Sequence, residues 1–230
     1  DLDIGMNTRL CRPFAWDDSR EFDRGKIMTY EKLEAGADFG RYLDVDGDGI
    51  PYRTYPGTHP TKGGYFTRGT TKNRYAQYSE AGPDYVDNMQ RLMRKFETAK
   101  SLMPKPVLHK AAKPADFGAI YYGSTSPAML EALDVLAERG MPVNALRVRG
   151  FPFADEVKDF VAAHSGVFVI EQNRDAQLKT LLVNDAKINP AQLISLLHYD
   201  GTPITARFIV DQIVRHVDTH SVVPLKKAMA

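Results

Sequence analysis

Residues 117–148 read FGAIYYGSTSPAMLEALDVLAERGMPVNALRV. The first six are small, branched or aromatic without a charge among them, as expected of a strand buried on both faces. Ser126 and Pro127 then supply an N-cap and a first helical position for PAMLEALDVLAER, and Gly140 stops that helix. Val143 to Val148 is a second strand. The pattern repeats downstream: ADEVKDFVAAHS is a helix, GVFVIE (166–171) a strand, DAQLKTLLVND a helix and LISLLHY a strand. Thr202 with Pro203 opens a last helix, PITARFIVDQIVRHV. Strands alternating with helices over short connections predict an α/β fold, a doubly wound and mainly parallel sheet covered on both faces.

Upstream the pattern changes. Residues 104–116, PKPVLHKAAKPAD, carry three prolines and three lysines and read as an extended linker, with a domain boundary near residue 112. Before it, Val86, Met89, Leu92, Met93, Phe96 and Met103 recur at helical spacing across residues 84–103, with Asp84 able to cap the first turn. That stripe reads as core or interface packing. Further back, 13 of the chain's 31 glycines and prolines fall between Gly36 and Pro83. This is a long loop, and loops beyond about 15 residues are usually functional or disordered. Read as ordered, it needs a surface to dock on. The expected division is residues 1–35, residues 36–115 as docking loop, connecting helix and linker, and residues 116–230 as the doubly wound domain.

Composition narrows the function classes. The chain has 230 residues, 43% of them hydrophobic, and a net charge of +1. Charge is spread evenly, 19 basic against 16 acidic residues up to residue 115 and 11 against 13 after it. A broad positive field for a phosphate backbone is missing, so nucleic acid is not expected as a partner. The single cysteine, Cys11, excludes an internal disulfide and a four-cysteine metal or iron–sulfur site built from this chain alone. A reducing, cytoplasmic setting is expected. No membrane association is expected either, since no run of 18 apolar residues occurs. The chain opens on Asp1 in the middle of what reads as a strand, which suggests a piece of something longer.

Three motifs offer chemistry. In DVDGDGI, Asp44, Asp46, Asp48 and Gly49 match the first positions of a calcium loop, but the required Glu at position 12 is Tyr55. The alternative is a tight turn whose carboxylates cap backbone donors. Gly47, Asp48 and Gly49 followed by Asn73 also resemble the metal–diphosphate spacing of thiamine diphosphate enzymes, yet the preceding GRYLDVD is polar where that motif follows a hydrophobic strand. The third lies in the compact half, where ligands of doubly wound sheets bind beyond the strands' carboxyl ends. Those ends carry Gly123, Ser124 and Thr125, then Arg149, Gly150 and Phe151, then the polar run Glu171, Gln172, Asn173, Arg174, Asp175. That run is the candidate ligand or interface rim. It competes with a plainer reading in which Asn173 or Asp175 caps the next helix and Arg174 pairs with an acid. GSTS lacks the dinucleotide-binding glycine spacing. The six histidines are scattered, and His216 and His220 read as a solvated tail.

Eight phrases, DLDIGMN, RYLDVDGDGIPYRTYPGTHP, GGYFTRGT, RLMRKFETA, YGSTSPAMLEALDVL, RVRGFPFADEVKDF, VFVIEQNRDAQLKTLL and DGTPITARFI, resemble in that order the C-terminal part of the alpha subunit of 2-oxoacid:ferredoxin oxidoreductases, most closely the 2-oxoglutarate type. The resemblance implies a thiamine diphosphate enzyme that decarboxylates a 2-oxoacid, sends electrons through an iron–sulfur cluster to ferredoxin and transfers the acyl group to coenzyme A. It implies that residues 116–230 are a transketolase C-terminal-like domain and residues 1–35 the tail of a pyrimidine-binding domain. Thiamine diphosphate, Mg2+ and the cluster would belong to the whole complex, with the beta subunit as partner and none of them held by this chain alone. The family's YPITP segment and its catalytic residues have no counterpart here, so no catalytic residue is carried over. Arg53 and Arg68 are the loop's candidate contacts. The fragment would then be structural and interface-forming, and inactive alone. The other reading is a stand-alone doubly wound ligand-binding or regulatory module.

Overall fold

A computed structural model describes residue 13 and residues 15–221 of the chain. The described residues fall into two compact units, divided between Leu102 and Met103.

The first unit is mostly irregular. It holds a short helix α1 (Tyr30–Glu34), capped by the Thr29 side chain, and a long helix α2 (Gly82–Leu102). Elsewhere in this unit the described residues make turns and two isolated β-bridges, Ile27 with Arg53 across α1 and Lys72 with Tyr78 before α2. What orders it is polar docking onto α2. The Arg91 guanidinium, 6% exposed, donates to the Gly49 carbonyl at 3.1 Å, and Thr98 Oγ1 donates to the Asp48 carbonyl at 2.7 Å. Arg94 Nε meets Asp44 Oδ2 at 3.0 Å. Gly49, at φ +78°, lies so close that a Cβ there would stand 2.3 Å from Lys95 N and 2.7 Å from the Arg91 carbonyl. Helix α2 therefore turns Arg91, Arg94 and Thr98 toward the loop. The apolar stripe expected to be packed is exposed within this chain: Val86, Met89, Met93 and Phe96 keep 40–71% of their surface.

The second unit is a five-stranded sheet. Its strands are β1 (Val107–His109), β2 (Phe117–Tyr122), β3 (Val143–Val148), β4 (Gly166–Glu171) and β5 (Leu193–Leu197), in the order β1-β3-β2-β4-β5. All neighbours pair in parallel except β1, which runs antiparallel on β3. The expected linker thus supplies an edge strand: Val107, Leu108 and His109 lie between prolines and lysines that suit a sheet edge. Helices α3 (Ser126–Glu138), α4 (Asp155–Ala162), α5 (Gln177–Asn184) and α6 (Ala206–Ser221) complete it.

Alternation along the strands separates two cores. Ala119, Tyr121, Ala145, Phe168 and Ile170 face Met129, Ala132 and Leu136 of α3 and Ile209 and Ile213 of α6. Ile120, Leu146, Val167 and Val169 face Val157 and Phe160 of α4 and Leu178 and Leu182 of α5. The interior strand β4, between β2 and β5, is buried at every residue, so its uncharged run GVFVI follows from having helices on both sides. Each fully buried large apolar side chain contributes about 1.5–3 kcal/mol. The doubly wound α/β architecture expected of residues 116–230 is the one observed over their described part, which ends at residue 221.

Three expectations need correction. Ser126 is the first helical residue of α3 rather than its cap, because a short 3-10 turn over Gly123–Thr125 leads straight into the helix. The last helix opens at Ala206, not at Pro203. Thr202 is held by Asp200, whose Oδ1 accepts from both its N–H and its hydroxyl, and Thr205 Oγ1 accepts from Phe208 N instead. His216 is no solvated tail residue: its ring sits edge-on to Phe168, with centroids 5.3 Å apart, against the α3–α6 core. The side chain of His220 lies outside the described residues.

Candidate functional site

The sheet order puts a topological switch between β2 and β4, whose following connections leave in opposite directions. There Gln172 Nε2 donates to Ser124 Oγ and Thr125 Oγ1, each at 3.2 Å, so the segments after the two strands are joined. Beside this point, beyond the carboxyl ends of β2 and β3, lies a cavity of about 520 Å3. Tyr122, Gly123, Arg149, Phe151, Gln177 and Leu178 are among its walls. The volume is within the range of small-molecule sites, roughly 300–1,000 Å3.

The polar run after β4 behaves unevenly. Glu171 is fully buried rather than at the rim. Its Oε2 accepts from Leu178 N at 2.6 Å and from Asn173 Nδ2 at 2.8 Å, and its Oε1 accepts from Lys179 N at 3.1 Å. A carboxylate at the amino end of α5 satisfies helix N–H groups that have no partner within the helix and interacts favourably with its dipole. Asn173 Oδ1 accepts from Asp175 N and Gln177 N, which is the capping role of the plainer reading. Arg174 pairs with Asp175 at 2.7 Å, both well exposed. Ala176 enters α5 at φ +50°, a left-handed conformation imposed by this turn. Burial, followed by the nearby Glu171 carboxylate, pushes the Tyr122 hydroxyl above its ordinary pKa, so it stays protonated at neutral pH.

In the first unit, the carboxylates of DVDGDGI are already engaged. Asp44 Oδ1 accepts from Gly47 N and Gly49 N, and Asp48 Oδ1 accepts from Ile50 N. The Lys26 ammonium lies 2.6 Å from Asp46 and 2.7 Å from Asp48. A cation that belongs to the chain thus stands between the two carboxylates, and no group of three or more His, Cys, Asp or Glu converges as a metal site among the described residues. Asn73 Oδ1 holds a turn by accepting from Tyr75 N and Gln77 N. These residues do not fit a metal–diphosphate role. Arg53 donates to the Arg24 carbonyl at 2.6 Å, and Arg68 is exposed.

The Lys26 pair sets a pH dependence. Burial alone would raise the Asp48 carboxyl, but hydrogen bonds from Lys26 and the Ile50 amide, with the Lys26 charge, hold it below its ordinary 3.8. Burial likewise works to lower the Lys26 ammonium, and the two aspartates override it and raise it above 10.5. A depressed acid stabilises fully above 3.8 and loses that contribution as pH falls through its folded value; a raised lysine stabilises fully below 10.5 and loses it as pH rises through its own. Lys26→Met should therefore lower the urea midpoint at pH 7, and the gap from wild type should narrow toward pH 2. A gap unchanged at pH 2 would show that the lysine stem, not its charge, stabilises the loop.

Sequence reasoning did not single out Lys26, Arg91 or Thr98. A signal existed for the helix residues: Arg91, Arg94 and Thr98 recur at spacings of three and four, which marks one polar face of α2. Their partners 42 to 50 residues away carry no such signal.

No family model matches the chain. It is 29% identical over 206 residues, 85% of its length, to the alpha subunit of 2-oxoacid:ferredoxin oxidoreductase 2 of Aeropyrum pernix, of which it covers 29%. Among solved structures it resembles 2-oxoglutarate:ferredoxin oxidoreductase from Magnetococcus marinus, determined with 2-oxoglutarate, coenzyme A and succinyl-CoA bound. That likeness has a TM-score of 0.67 and 21% identity over 78% of this chain and 31% of the other, and it bears on the fold. The alpha chain of a probable 2-oxoacid ferredoxin oxidoreductase from Thermoplasma acidophilum is 27% identical, with a TM-score of 0.34 over 50% of this chain and 97% of that one. The chain spans under a third of the length of the Aeropyrum relative. The resemblance read from eight phrases is thus matched by similarity over most of the chain to subunits of an oxidoreductase complex. No helix among the described residues is long and apolar enough to cross a membrane.

Proposed function

We propose that the chain is the C-terminal part of the alpha subunit of a thiamine diphosphate-dependent 2-oxoacid:ferredoxin oxidoreductase, with 2-oxoglutarate as the substrate and coenzyme A as the acyl acceptor. The observation that carries this reading is the 29% identity running through 85% of the chain to an alpha subunit of that enzyme class. Decarboxylation and electron transfer would take place on thiamine diphosphate, Mg2+ and an iron–sulfur cluster held elsewhere in a cytoplasmic complex, and electrons would leave to ferredoxin. The contribution of this chain is architectural. Its first unit keeps an apolar stripe on α2 exposed, Met93 at 71% and Phe96 at 51%, a surface suited to a beta subunit or to the remainder of its own subunit.

The test is reconstitution. The chain alone, given thiamine diphosphate, Mg2+, 2-oxoglutarate and coenzyme A, should reduce no viologen dye, whereas a tagged chain should retain the beta subunit, identified by mass spectrometry. Turnover by the isolated chain would overturn the reading. The 520 Å3 cavity favours one alternative, a ligand-binding or regulatory module. Calorimetric titration with coenzyme A and ADP separates them, because a module binds one of these unaided.

A further inference from the structure

Three cations converge on one ring in the first unit. The Arg91 and Arg41 guanidinium carbons lie 5.6 and 5.8 Å from the centroid of Tyr42, and the Lys72 ammonium lies 5.5 Å from it. Among the described residues, none of the three forms an ion pair with a carboxylate. The acids nearby are engaged: Asp44 accepts from Gly47 N, Gly49 N and Arg94, Asp87 pairs with Arg74, and Asp84 accepts from Ser79 Oγ. A cation–π contact offsets part of the cost of gathering such charges, but the ring carries no net charge to neutralise them.

Arg91 is the informative member. It is buried, one terminal nitrogen donates to the Gly49 carbonyl, and its Nε–H finds no acceptor. Buried charges are ordinarily paired, and a buried donor left without an acceptor costs about 1–3 kcal/mol. Burial, then the Arg41 charge, depresses the pKa of this guanidinium, against the attraction of Asp44. Arg91 and Lys72 also wall the same cavity of about 130 Å3, together with Tyr42, Thr71 and Asn88, and no carboxylate lines it. At roughly 30 Å3 per water this is room for about four waters, or for one tetrahedral or planar oxyanion.

We propose that the cavity between Tyr42, Thr71, Lys72 and Arg91 is a binding site for a small oxyanion, a phosphate or carboxylate group that supplies the negative charge the surrounding residues lack. Arg91 gives a fixed planar donor and Lys72, half-buried in the wall, an ammonium on a flexible stem, a pairing suited to binding an oxyanion. The Asn88 side chain donates to the Lys72 carbonyl at 2.6 Å and fixes the backbone on which that lysine stands.

The experiment is isothermal titration of the full 230-residue chain with sodium phosphate and with sodium succinate, each against sodium chloride of equal ionic strength. One saturable site for phosphate or succinate, absent with chloride, is expected; a site for phosphate alone identifies the ligand as a phosphate, and one for succinate alone identifies a carboxylate. Lys72→Gln should weaken that site about tenfold, as loss of one charge-assisted hydrogen bond does, and Lys72→Arg should restore it. Arg91→Lys should also weaken it, and if that variant fails to fold the Lys72 pair decides. No saturable heat from either anion, or equal affinity in wild type and Lys72→Gln, would overturn the proposal.

Discussion

Gly49→Ala should cost the first unit at least about 3 kcal/mol, because strain and collision act together. The residue sits at φ +78°, where an L side chain is disfavoured by roughly 1–2 kcal/mol. Its missing Cβ would stand 2.3 Å from Lys95 N and 2.8 Å from Lys95 Cα, which are backbone atoms of α2 and cannot rotate away. The loop must lift, and lifting it breaks the Arg91 bond to the Gly49 carbonyl and the Thr98 bond to the Asp48 carbonyl together. Gly47→Ala is the matched control: φ is +79° but nothing lies within 4 Å, so only the conformational cost remains. Hydrogen-exchange protection of the α2 amides reads the outcome. Equal loss in the two variants would mean that contact with α2 contributes nothing.

Glu171→Ala should lower the melting temperature of the second unit by roughly 10 °C, on a loss of about 3–5 kcal/mol. The substitution leaves Leu178 N, Lys179 N and Asn173 Nδ2 without their acceptor at a fully buried position. Two of those donors belong to the first turn of α5, so the helix end and the capping turn loosen in concert. Glu171→Gln keeps one acceptor oxygen and presents an amide group to a donor, at an expected cost of about 2 kcal/mol. Thermal unfolding followed by far-ultraviolet circular dichroism gives the order Glu171→Ala below Glu171→Gln below wild type. An unchanged melting point for Glu171→Ala would remove the anchoring role assigned to this carboxylate.

Three of the four parallel strands could be read from the sequence to the residue, because burial on two faces leaves almost no freedom in composition, while β5 stops at Leu197, two residues short of the LISLLHY run. Val143–Val148 and Gly166–Glu171 have the bounds that their apolar runs suggest. Strand β1 was hidden for the opposite reason: three residues at a sheet edge, half-exposed and framed by prolines, carry neither alternation nor an apolar run. The last helix misled because Thr-Pro is a good helix start in isolation, while Asp200 competes for Thr202 and makes a turn of it. The rim after β4 was legible as a cluster but not as a set of roles. That Glu171 points inward and Gln172 spans to Ser124 depends on strands that are neighbours in space while their paired residues, such as Gly118 and Val167, are 49 apart in sequence. For Arg91 only the helix face was legible, since a polar face on an amphipathic helix says nothing about which loop will bury it.

The docking of the Asp44–Ile50 loop onto α2 has a consequence for how the chain is made. Asp44 meets Arg94 and Asp48 meets Thr98, each across 50 residues of sequence. Synthesis runs at about 5–20 residues per second, so a loop already outside the ribosome waits roughly 3–10 seconds before the helix that orders it is complete. During that interval its exposed tyrosines and glycine-rich turns have little local structure to fall back on. The first unit is a segment whose folding is timed by its last twenty residues, and any chaperone that attends this chain during translation has the most to do there.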